Sequence, residues 1–387
     1  MTSSLCPFAA GTHAVDLIHN RLRQDTGVHR DQLPDGSPVW VVGGYEAVAN
    51  LLADHRMSAA KSDSTTDFRG QNLPRALDMN LLNIDGQQHR RVRQLATAAF
   101  APEHHTAHKR VVVDAAKKLI ADLPATGELD LMNGLCEPLP PRVIGTLLGI
   151  PTDKLGQFET AARPMFAIDT SKEGDAIQGA LGSMLMLVAD EICDKRQHPG
   201  GDMLSGWIAA RDGEDRLSEE ELISLAFATI IGGFENVTAL IALVIDEAVR
   251  FRSAETRVAV DAADGRTLPK LVREIIGDVA PVIYALRRFP LEDIEVNGVT
   301  IPRGETVILS LRSANTDPAR GARPDLAFGR GRHFCIGASL AEMEAVEALR
   351  HVFLRWQRLR PAKARSKLAL RQSWLTYSLA ELSVYAS

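Results

Sequence analysis

The segment from Phe328 to Glu342 constrains this chain more than any other part of it. It places Cys335 in a loop with Gly329 and Gly331, and a helical pattern begins just after the sulfur. A helix that starts there points backbone N–H groups and a positive dipole end toward the thiol, which favours a thiolate. Glycines let the backbone approach a flat macrocycle closely, whereas a buried structural cysteine, the common alternative, does not need them. The pattern therefore predicts a thiolate bound to the metal of a planar cofactor.

The residues of this segment match, at every fixed position, the order Phe-Gly-x-Gly-x-His-x-Cys-x-Gly-x-x-Leu-Ala. This order resembles the haem-binding signature of the cytochrome P450 family, and the resemblance extends over nearly the whole chain. It implies haem b as the cofactor and Cys335 as the axial thiolate ligand of its iron, where a thiolate favours cleavage of the O–O bond. By the same resemblance Phe328, Gly329 and Gly337 belong to the haem-binding loop, and His333 matches a partner of a haem propionate.

Length and composition fit a globular protein and exclude several other classes. The chain has 387 residues, of which 45% are hydrophobic and 24% charged, so it can bury a large core. A net charge of −5 argues against a nucleic-acid-binding protein. The cysteines are scattered at positions 6, 136, 193 and 335, which indicates neither a zinc site nor a disulfide framework and fits a reducing cytosol. Because no repeat or composition break divides the chain, we expect a single domain over residues 1–387.

Two segments bear on membrane association. The first seven residues lack a basic stretch followed by an apolar one, so we expect no signal peptide. They also lack the membrane anchor of eukaryotic members of the resembled family, which implies a bacterial-type cytoplasmic enzyme. Residues 222–245 are apolar for long enough to span a bilayer, but Glu235 and Asn236 lie near their centre beside Gly232 and Gly233. We therefore predict the central helix of a large soluble core.

Hydrophobic periodicity predicts a mainly α chain with small β sheets, which matches the cytochrome P450 fold. Helices are predicted over 45–55, 87–100, 105–123, 137–148, 154–166, 175–196, 218–250, 269–280 and 337–356. A hairpin turn is predicted at 35–36 with a strand over 38–42, a strand–turn–strand over 294–309 and a small β element over 367–385.

Two basic clusters resemble the family's propionate-binding residues. His89 and Arg93 are four residues apart, so they share one face of a helix and can converge on a carboxylate. The alternative is a solvated basic face, because Arg90 and Arg91 lie beside them. Arg288 matches a further propionate-binding arginine in an Arg-x-x-x-Glu-Asp stretch. The adjacent arginine and a solvated strand end are the alternatives.

The long apolar helix resembles the oxygen-activating helix of the family, in which Ala-Gly-x-Glu/Asp-Thr is usual. Here Gly232 and Gly233 are expected to thin the helix wall above the iron and to allow a local bulge. Glu235 matches the catalytic acid, and Asn236 replaces the threonine that helps to deliver protons. An amide does not titrate near neutral pH and is a poor proton relay. A paired core carboxylate is the alternative for Glu235, and a partner is expected in either case.

The chain departs from the family at the motif Glu-x-x-Arg. Glu274 matches the glutamate, but Gly277 stands where the arginine is expected. A rival register pairs Tyr284 with Arg287, although it places Pro281 ahead of the motif. The meander loop before Phe328 is also short. We expect Glu274 to find another donor or a wetter setting, and a degraded paralogue is the alternative.

The resemblance implies a haem-thiolate oxidase or monooxygenase of secondary metabolism. It would use dioxygen, electrons from ferredoxin and ferredoxin reductase, and an organic substrate. Asn236 leaves room for one-electron oxidation of aromatic groups, including oxidative crosslinking of phenols or peptides. A peroxygenase and a non-catalytic haem-binding accessory protein are the alternatives.

The resemblance also suggests which residues surround the substrate, although Trp374 could equally serve core packing. These residues are Leu81, Leu82, Ala228, Gly232, Gly233, Val282, Ile283, Trp374, Leu375 and Thr376.

Overall fold

The computed structural model describes residue 8 and residues 14–33, 35–65, 79–162, 170–212, 217–250, 266–373 and 375–387. Its helices are α1 (Val15–Arg21), α2 (Tyr45–Ala53), α3 (Gly86–Ala98), α4 (His105–Ala121), α5 (Leu139–Leu148), α6 (Leu155–Ala162), α7 (Thr170–Gln197), α8 (Met203–Asp212), α9 (Glu219–Arg250), α10 (Thr267–Val279), α11 (Leu311–Asn315) and α12 (Ala338–Arg355). Its strands are β1 (Val28–Gln32), β2 (Pro38–Val42), β3 (Met57–Ser58), β4 (Gly127–Asp130), β5 (Phe289–Pro290), β6 (Ile294–Val296), β7 (Val299–Ile301), β8 (Val307–Leu309), β9 (Leu359–Pro361) and β10 (Ser383–Ala386).

Helix α9 forms the centre of the molecule and packs against α5, α7, α10 and α12. It begins with three glutamates, Glu219 to Glu221, which complement the positive end of the helix dipole. The helix is long and apolar enough to cross a membrane, but 61% of its most apolar window is buried inside the protein. The prediction of a central core helix is therefore confirmed.

Small sheets lie at the periphery of this helical core. One sheet has the order β1-β2-β8 and another the order β4-β10-β9, while β3 pairs with β5 and β6 with β7. The predicted turn at Gly36 joins antiparallel β1 and β2 with a φ of 84°, which favours glycine. Asn297 and Gly298 also have positive φ angles and turn β6 back on β7, as a tight hairpin requires.

The secondary structure differs from the sequence prediction in a few places. Strand β8 leaves the β6–β7 hairpin and pairs in parallel with β2, so residues 294–309 serve two sheets. The helices α1, α8 and α11 were not predicted. Helices α1 and α11 have only 7 and 5 residues, and such short segments depend on tertiary packing rather than on their own propensity. The mainly α fold with small β sheets is confirmed.

Candidate haem-binding site

The loop that carries Cys335 is closed by backbone hydrogen bonds. The N–H of Cys335 donates to the carbonyl of Phe328 at 3.0 Å. Gly329 and Gly331 have φ angles of 76° and 77°, which L side chains rarely adopt. A Cβ on Gly331 would also lie 2.8 Å from the carbonyl oxygen of Leu52 on α2. Protein geometry thus already requires these two glycines, independently of close approach to a macrocycle.

The thiol of Cys335 is subject to opposing influences. Protein atoms around the sulfur desolvate it, and this raises the pKa of the thiol even though the residue is exposed. A hydrogen bond from the backbone N–H of Gly337 and the charge of Arg93 act in the opposite direction and lower the pKa. The start of α12 therefore favours the thiolate as expected, whereas desolvation of the sulfur favours the neutral thiol.

A buried pair of histidines lies beside this loop. His89 on α3 is only 1% exposed, and neither of its ring nitrogens has a partner among the described residues. Its ring centroid lies 4.2 Å from that of His333 in the cysteine loop. The Nε2 atom of His333 lies 3.4 Å from a carboxylate oxygen of Asp85, which caps the N-terminus of α3. Burial lowers the pKa of His89 to about 4, so it is neutral at pH 7.

Three arginines surround these histidines. Arg93 donates to the carbonyl of Phe334 at 2.6 Å, and Arg332 donates to Asp85 at 3.0 Å. Arg288 is 2% exposed and donates to two backbone carbonyls, while burial lowers its pKa to about 10. Burial by itself raises the pKa of the Asp85 carboxyl. Hydrogen bonds from His333 and Arg332 outweigh this effect and hold the pKa well below its usual range. This excess of cationic donors can hold an anionic group in a partly dry setting.

The two neighbouring arginines of the chain have different surroundings. Arg287 is half-buried and donates to the side-chain oxygen of Asn83, whereas Arg288 is buried next to Asp85, Arg332 and His333. The structure therefore brings Arg288, and not its neighbour, into the group around His89.

The two glycines of α9 face different surroundings. A Cβ on Gly232 would meet no heavy atom within 4 Å, so this side of the helix is open. A Cβ on Gly233 would instead lie 3.5 Å from Ile144 on α5, so Gly233 faces a packed neighbour. Helix α9 is α-helical throughout, and the expected local bulge is not present. The expectation that both glycines thin the same wall is corrected, because consecutive helical residues point about 100° apart.

The expected partner of Glu235 is Thr376 in the C-terminal loop. The hydroxyl of Thr376 donates to Oε1 of Glu235 at 2.7 Å and lies 3.0 Å from the hydroxyl of Ser373. Thr376 is buried, Ser373 is half-buried and Gln372 next to it is exposed. These groups connect the central helix with the surface. Asn236, the next residue of α9, is half-buried.

The C-terminal loop joins the segment that follows α10. Val282 bridges to Thr376, and the N–H of Ile283 donates to the carbonyl of Leu375 at 2.8 Å. Because side chains alternate along an extended segment, the side chains of Val282 and Ile283 face opposite sides. Ile283 packs with Val39 in a core cluster separate from that of α9, and its place in the substrate pocket stays a prediction.

The other expected pocket residues have varied surroundings. Leu375 is 44% exposed, and Leu82 and Ala228 are half-buried. Leu81 is buried in the core cluster that includes α9. Trp374 lies outside the described residues.

The structure supports the register that aligns Glu274 and Gly277 with the Glu-x-x-Arg motif. Helix α10 ends at Val279, so Tyr284 and Arg287 of the rival register do not lie on it. Glu274 is exposed, which is the wetter setting that was expected. A Cβ on Gly277 would lie 3.2 Å from Cβ of Asp325 in the short meander loop, so the loop packs directly against the helix backbone there.

Sequence reasoning missed three polar residues near these groups: Asp85, Arg332 and Ser373. Asp85 was detectable as an N-cap before Gly86, because aspartate at such a position accepts a backbone N–H. Arg332 gave no such signal, since its partners Met57 and Asp85 are distant in sequence. Ser373 bonds locally, because its hydroxyl accepts the backbone N–H of Thr376 three residues later, and serine favours such turns.

Comparisons with known proteins place the chain among bacterial enzymes. It is 32% identical over 344 residues to cytochrome P450 monooxygenase PikC of Streptomyces venezuelae, covering 85% of this chain and 81% of that protein. It is 30% identical to vitamin D(3) 25-hydroxylase of Pseudonocardia autotrophica, covering 94% of this chain and 91% of the relative. No protein-family model matches the chain.

The solved structures that resemble the chain are also cytochrome P450 proteins. The tirandamycin C-bound P450 monooxygenase TamI superposes with a TM-score of 0.80 at 31% identity, covering 93% of this chain and 94% of that chain. The cytochrome P450 PksS of the Bacillus subtilis bacillaene polyketide synthase superposes with a TM-score of 0.88, covering 98% and 99% of the two chains. At 24% identity, the second comparison supports the fold alone.

Proposed function

The chain belongs to the cytochrome P450 family and is a monooxygenase-type oxidoreductase, and from this premise we propose that Cys335 is the axial thiolate ligand of its haem b. The family carries a haem-thiolate cofactor in general. The observation that carries the assignment is the placement of Cys335 in a glycine-fixed turn, with the N–H of Gly337 donating to its sulfur at the start of α12. Phe328 and Gly329 belong to the same turn.

His89 supports the proposal that this site accepts haem. Its two buried ring nitrogens have no hydrogen-bond partner among the described residues, and leaving buried polar groups unpaired costs stability. A neutral histidine has one N–H to donate. A haem propionate would supply an acceptor for the N–H of His89. Further donors lie around it: His333 packs on His89, Arg93 lies near Cys335 and Arg288 lies near His333. The residues therefore fit the group.

On the other side of the site we assign proton handling to Glu235. When bound, haem supplies the activation of dioxygen and the oxidation of the substrate. The open face of Gly232 leaves room there, and Glu235 can accept a proton at the oxygen to which Thr376 donates. Asn236 can hold a water molecule through its amide, but it cannot take up a proton near neutral pH.

We propose an organic substrate from secondary metabolism. Relatives at 29% and 30% identity are named 6-deoxyerythronolide B hydroxylase and mycinamicin IV hydroxylase/epoxidase, and these names describe those proteins alone. In this chain the proposed pocket has apolar walls at Leu81, Leu82, Ala228, Val282 and Leu375, which suit an apolar substrate skeleton.

Bacterial P450 relatives generally use redox partners, and we propose ferredoxin and ferredoxin reductase for this enzyme. We also propose a cytoplasmic location and a single domain over residues 1–387. A substrate-dependent oxidation of NADPH that requires both proteins would support the pair. Equal turnover with peroxide alone would instead favour a peroxygenase.

A second candidate reaction is oxidative crosslinking of aromatic groups, and Asn236 is the observation that favours it. Crosslinking needs no transfer of oxygen, whereas hydroxylation does. Turnover under isotope-labelled dioxygen separates them, because label in the product excludes crosslinking. If the haem-loaded protein turns over no substrate of a panel, the result favours a non-catalytic accessory protein over an enzyme.

The first test is the reduced, carbon-monoxide difference spectrum of the purified protein beside that of Cys335→Ala. We expect the red-shifted Soret band of thiolate-ligated haem in the wild type and its loss in the variant. The same band in both proteins, or its absence from a haem-loaded wild type, would contradict the assignment of Cys335.

A further inference from the structure

The loop between α11 and Cys335 determines where the sulfur lies. Its turns are linked in sequence: the N–H of Gly329 donates to the carbonyl of Leu326 at 2.8 Å, and the N–H of Cys335 donates to Phe328 at 3.0 Å. The position of Leu326 therefore fixes the start of the turn that ends at Cys335.

Asn315 holds Leu326 from one side. It is the last residue of α11, it is 2% exposed, and its Oδ1 atom accepts the N–H of Leu326 at 2.7 Å. Leu326 is itself buried in a core cluster with residues of α2. A buried hydrogen bond of this kind is costly to remove, because the N–H is then left without water or a protein partner.

Tyr45, the first residue of α2, holds the same loop from another side. Its buried hydroxyl donates to the carbonyl of Pro324 at 2.8 Å, and its backbone N–H donates to Asp317 at 2.8 Å. The guanidinium of Arg323 lies 4.3 Å from the Tyr45 ring centroid and pairs with Glu46. The first turn of α2 thus binds the loop at two points, at Asp317 near its start and at Pro324 just before Leu326.

Two residues of α10, Gly277 and Asp278, give the loop only weak support. Gly277 has no side chain to bond the loop, and Asp325 packs against it instead. The pair of Asp278 with Arg320 spans 3.5 Å, and the Asp278 side chain is 75% exposed. Exposed ion pairs add little stability. Tyr45 of α2 and Asn315 of α11 therefore hydrogen-bond the part of the loop that precedes the glycine turn. The part around Cys335 is held separately, by Arg93 of α3 and by the bonds of Arg332 to Met57 and Asp85.

We propose that Tyr45 and Asn315 are positioning residues for Cys335, acting through Pro324 and Leu326. The proposal rests on the proposed ligation of haem by Cys335. Each residue fixes one point of the loop just before the glycine turn, so losing either bond lets the turn move relative to the haem site. The effect on Cys335 is indirect, and neither residue contacts the sulfur.

The first experiment measures hydrogen exchange in the full-length, haem-loaded protein. Tyr45→Phe removes only a hydroxyl, and Asn315→Ala removes the acceptor. We expect the amides of residues 325–335 to exchange about fivefold faster in each variant, the factor that corresponds to one net hydrogen bond. Tyr385→Phe is the matched control, because it also removes one hydroxyl. That hydroxyl donates to Glu128 at 3.3 Å between β10 and β4, outside the cysteine loop. It is expected to leave this loop unchanged.

The second experiment measures the reduced carbon-monoxide spectrum of the same proteins. We expect a smaller fraction of the red-shifted Soret band in Tyr45→Phe and Asn315→Ala, and recovery in Asn315→Asp, which keeps the acceptor oxygen. Spectra and exchange rates equal to those of the wild type, or an equal change in the control, overturn the proposal.

The outcomes separate this proposal from the proposed function. A haem-loaded wild type without the red-shifted band contradicts ligation by Cys335 before any variant is compared. If Asn315→Ala also loses protection throughout α9, it has unfolded, and Tyr45→Phe then decides the result.

Discussion

Glu235 shows at the scale of one residue how the fold completes a site. The sequence indicates an acid in the middle of an apolar helix, and such a group needs a partner because an isolated charge is costly to bury. The structure supplies Thr376, which is 141 residues away in the chain. The hydroxyl that Asn236 cannot offer is therefore present beside the acid, although it comes from the C-terminal loop.

Replacing Thr376 tests this contact. Thr376→Val keeps the shape of the side chain but leaves Glu235 without its hydroxyl donor, so we expect the free energy of unfolding to fall by about 1 kcal/mol. If Glu235 handles protons, the fraction of NADPH that yields product should also fall. Thr376→Ser keeps the hydroxyl and is the control. Chemical denaturation measures the first effect, and equal stability of Thr376→Val and wild type would contradict it.

At the scale of an element, the cysteine loop is shaped by backbone conformation and by α2. Gly329 and Gly331 both have positive φ angles, and Gly331 lies against the backbone of Leu52. The carbonyl of Leu52 cannot move away easily, since it belongs to a helix that also holds the loop through Tyr45. The position of the sulfur is thus coupled to α2, an element distant from it in sequence.

Gly331→Ala tests this coupling, with Gly36→Ala as the matched control. Both positions have positive φ, so each alanine is expected to cost about 1–2 kcal/mol of stability. Gly36 has no heavy atom within 4 Å of an added Cβ, whereas Gly331 has the Leu52 carbonyl at 2.8 Å. We therefore expect a larger loss of unfolding free energy, and loss of the red-shifted Soret band, in Gly331→Ala alone. Equal losses in both variants would show that φ alone matters.

At the scale of the whole molecule, segments near both ends of the chain pack against elements that are distant in sequence. The buried His19 of α1 lies 2.8 Å from the Ser310 hydroxyl, 291 residues later, and Tyr284 packs beside it. Strand β10 pairs with β4, and the C-terminal loop reaches α9. These contacts are consistent with the proposed single domain.

The His19 contact makes stability depend on pH. Burial, assisted by the nearby charge of Arg312 and Arg23 and opposed by Asp16, lowers the pKa of His19 from 6.5 to about 3. Because the unfolded chain binds a proton below pH 6.5 and the folded protein does not, this group destabilises the fold as the pH falls from 6.5 toward 3. We expect a loss of about 2 kcal/mol between pH 7 and pH 5 from this residue.

Denaturation of His19→Asn at several pH values measures the effect. This variant should lose less stability between pH 7 and pH 5 than the wild type does. His198→Asn, a change at an exposed histidine, is the control and should follow the wild type. A His19→Asn curve parallel to the wild-type curve would contradict the prediction.

Much of the fold and part of the site could be predicted from sequence. The helices α2, α9 and α12 were predicted within about two residues, because their apolar periodicity is local information. The clustering of His89, Arg93 and His333 beside Cys335 followed from the family resemblance. The different surroundings of Gly232 and Gly233, and the packing of Ile283 with Val39, required knowledge of which element packs on each face.

The sequence by itself determined that this chain is a mainly α cytochrome P450 with a cysteine loop, because that information lies in short contiguous patterns. Only the tertiary structure decided how the loop is held without an arginine at position 277. Tyr45 and Asn315 bond to the loop, and Asp325 packs against Gly277, through contacts that form when distant segments meet. A hydrogen bond or a close contact depends on distances in space, and the order of residues does not specify those distances until the whole chain has folded.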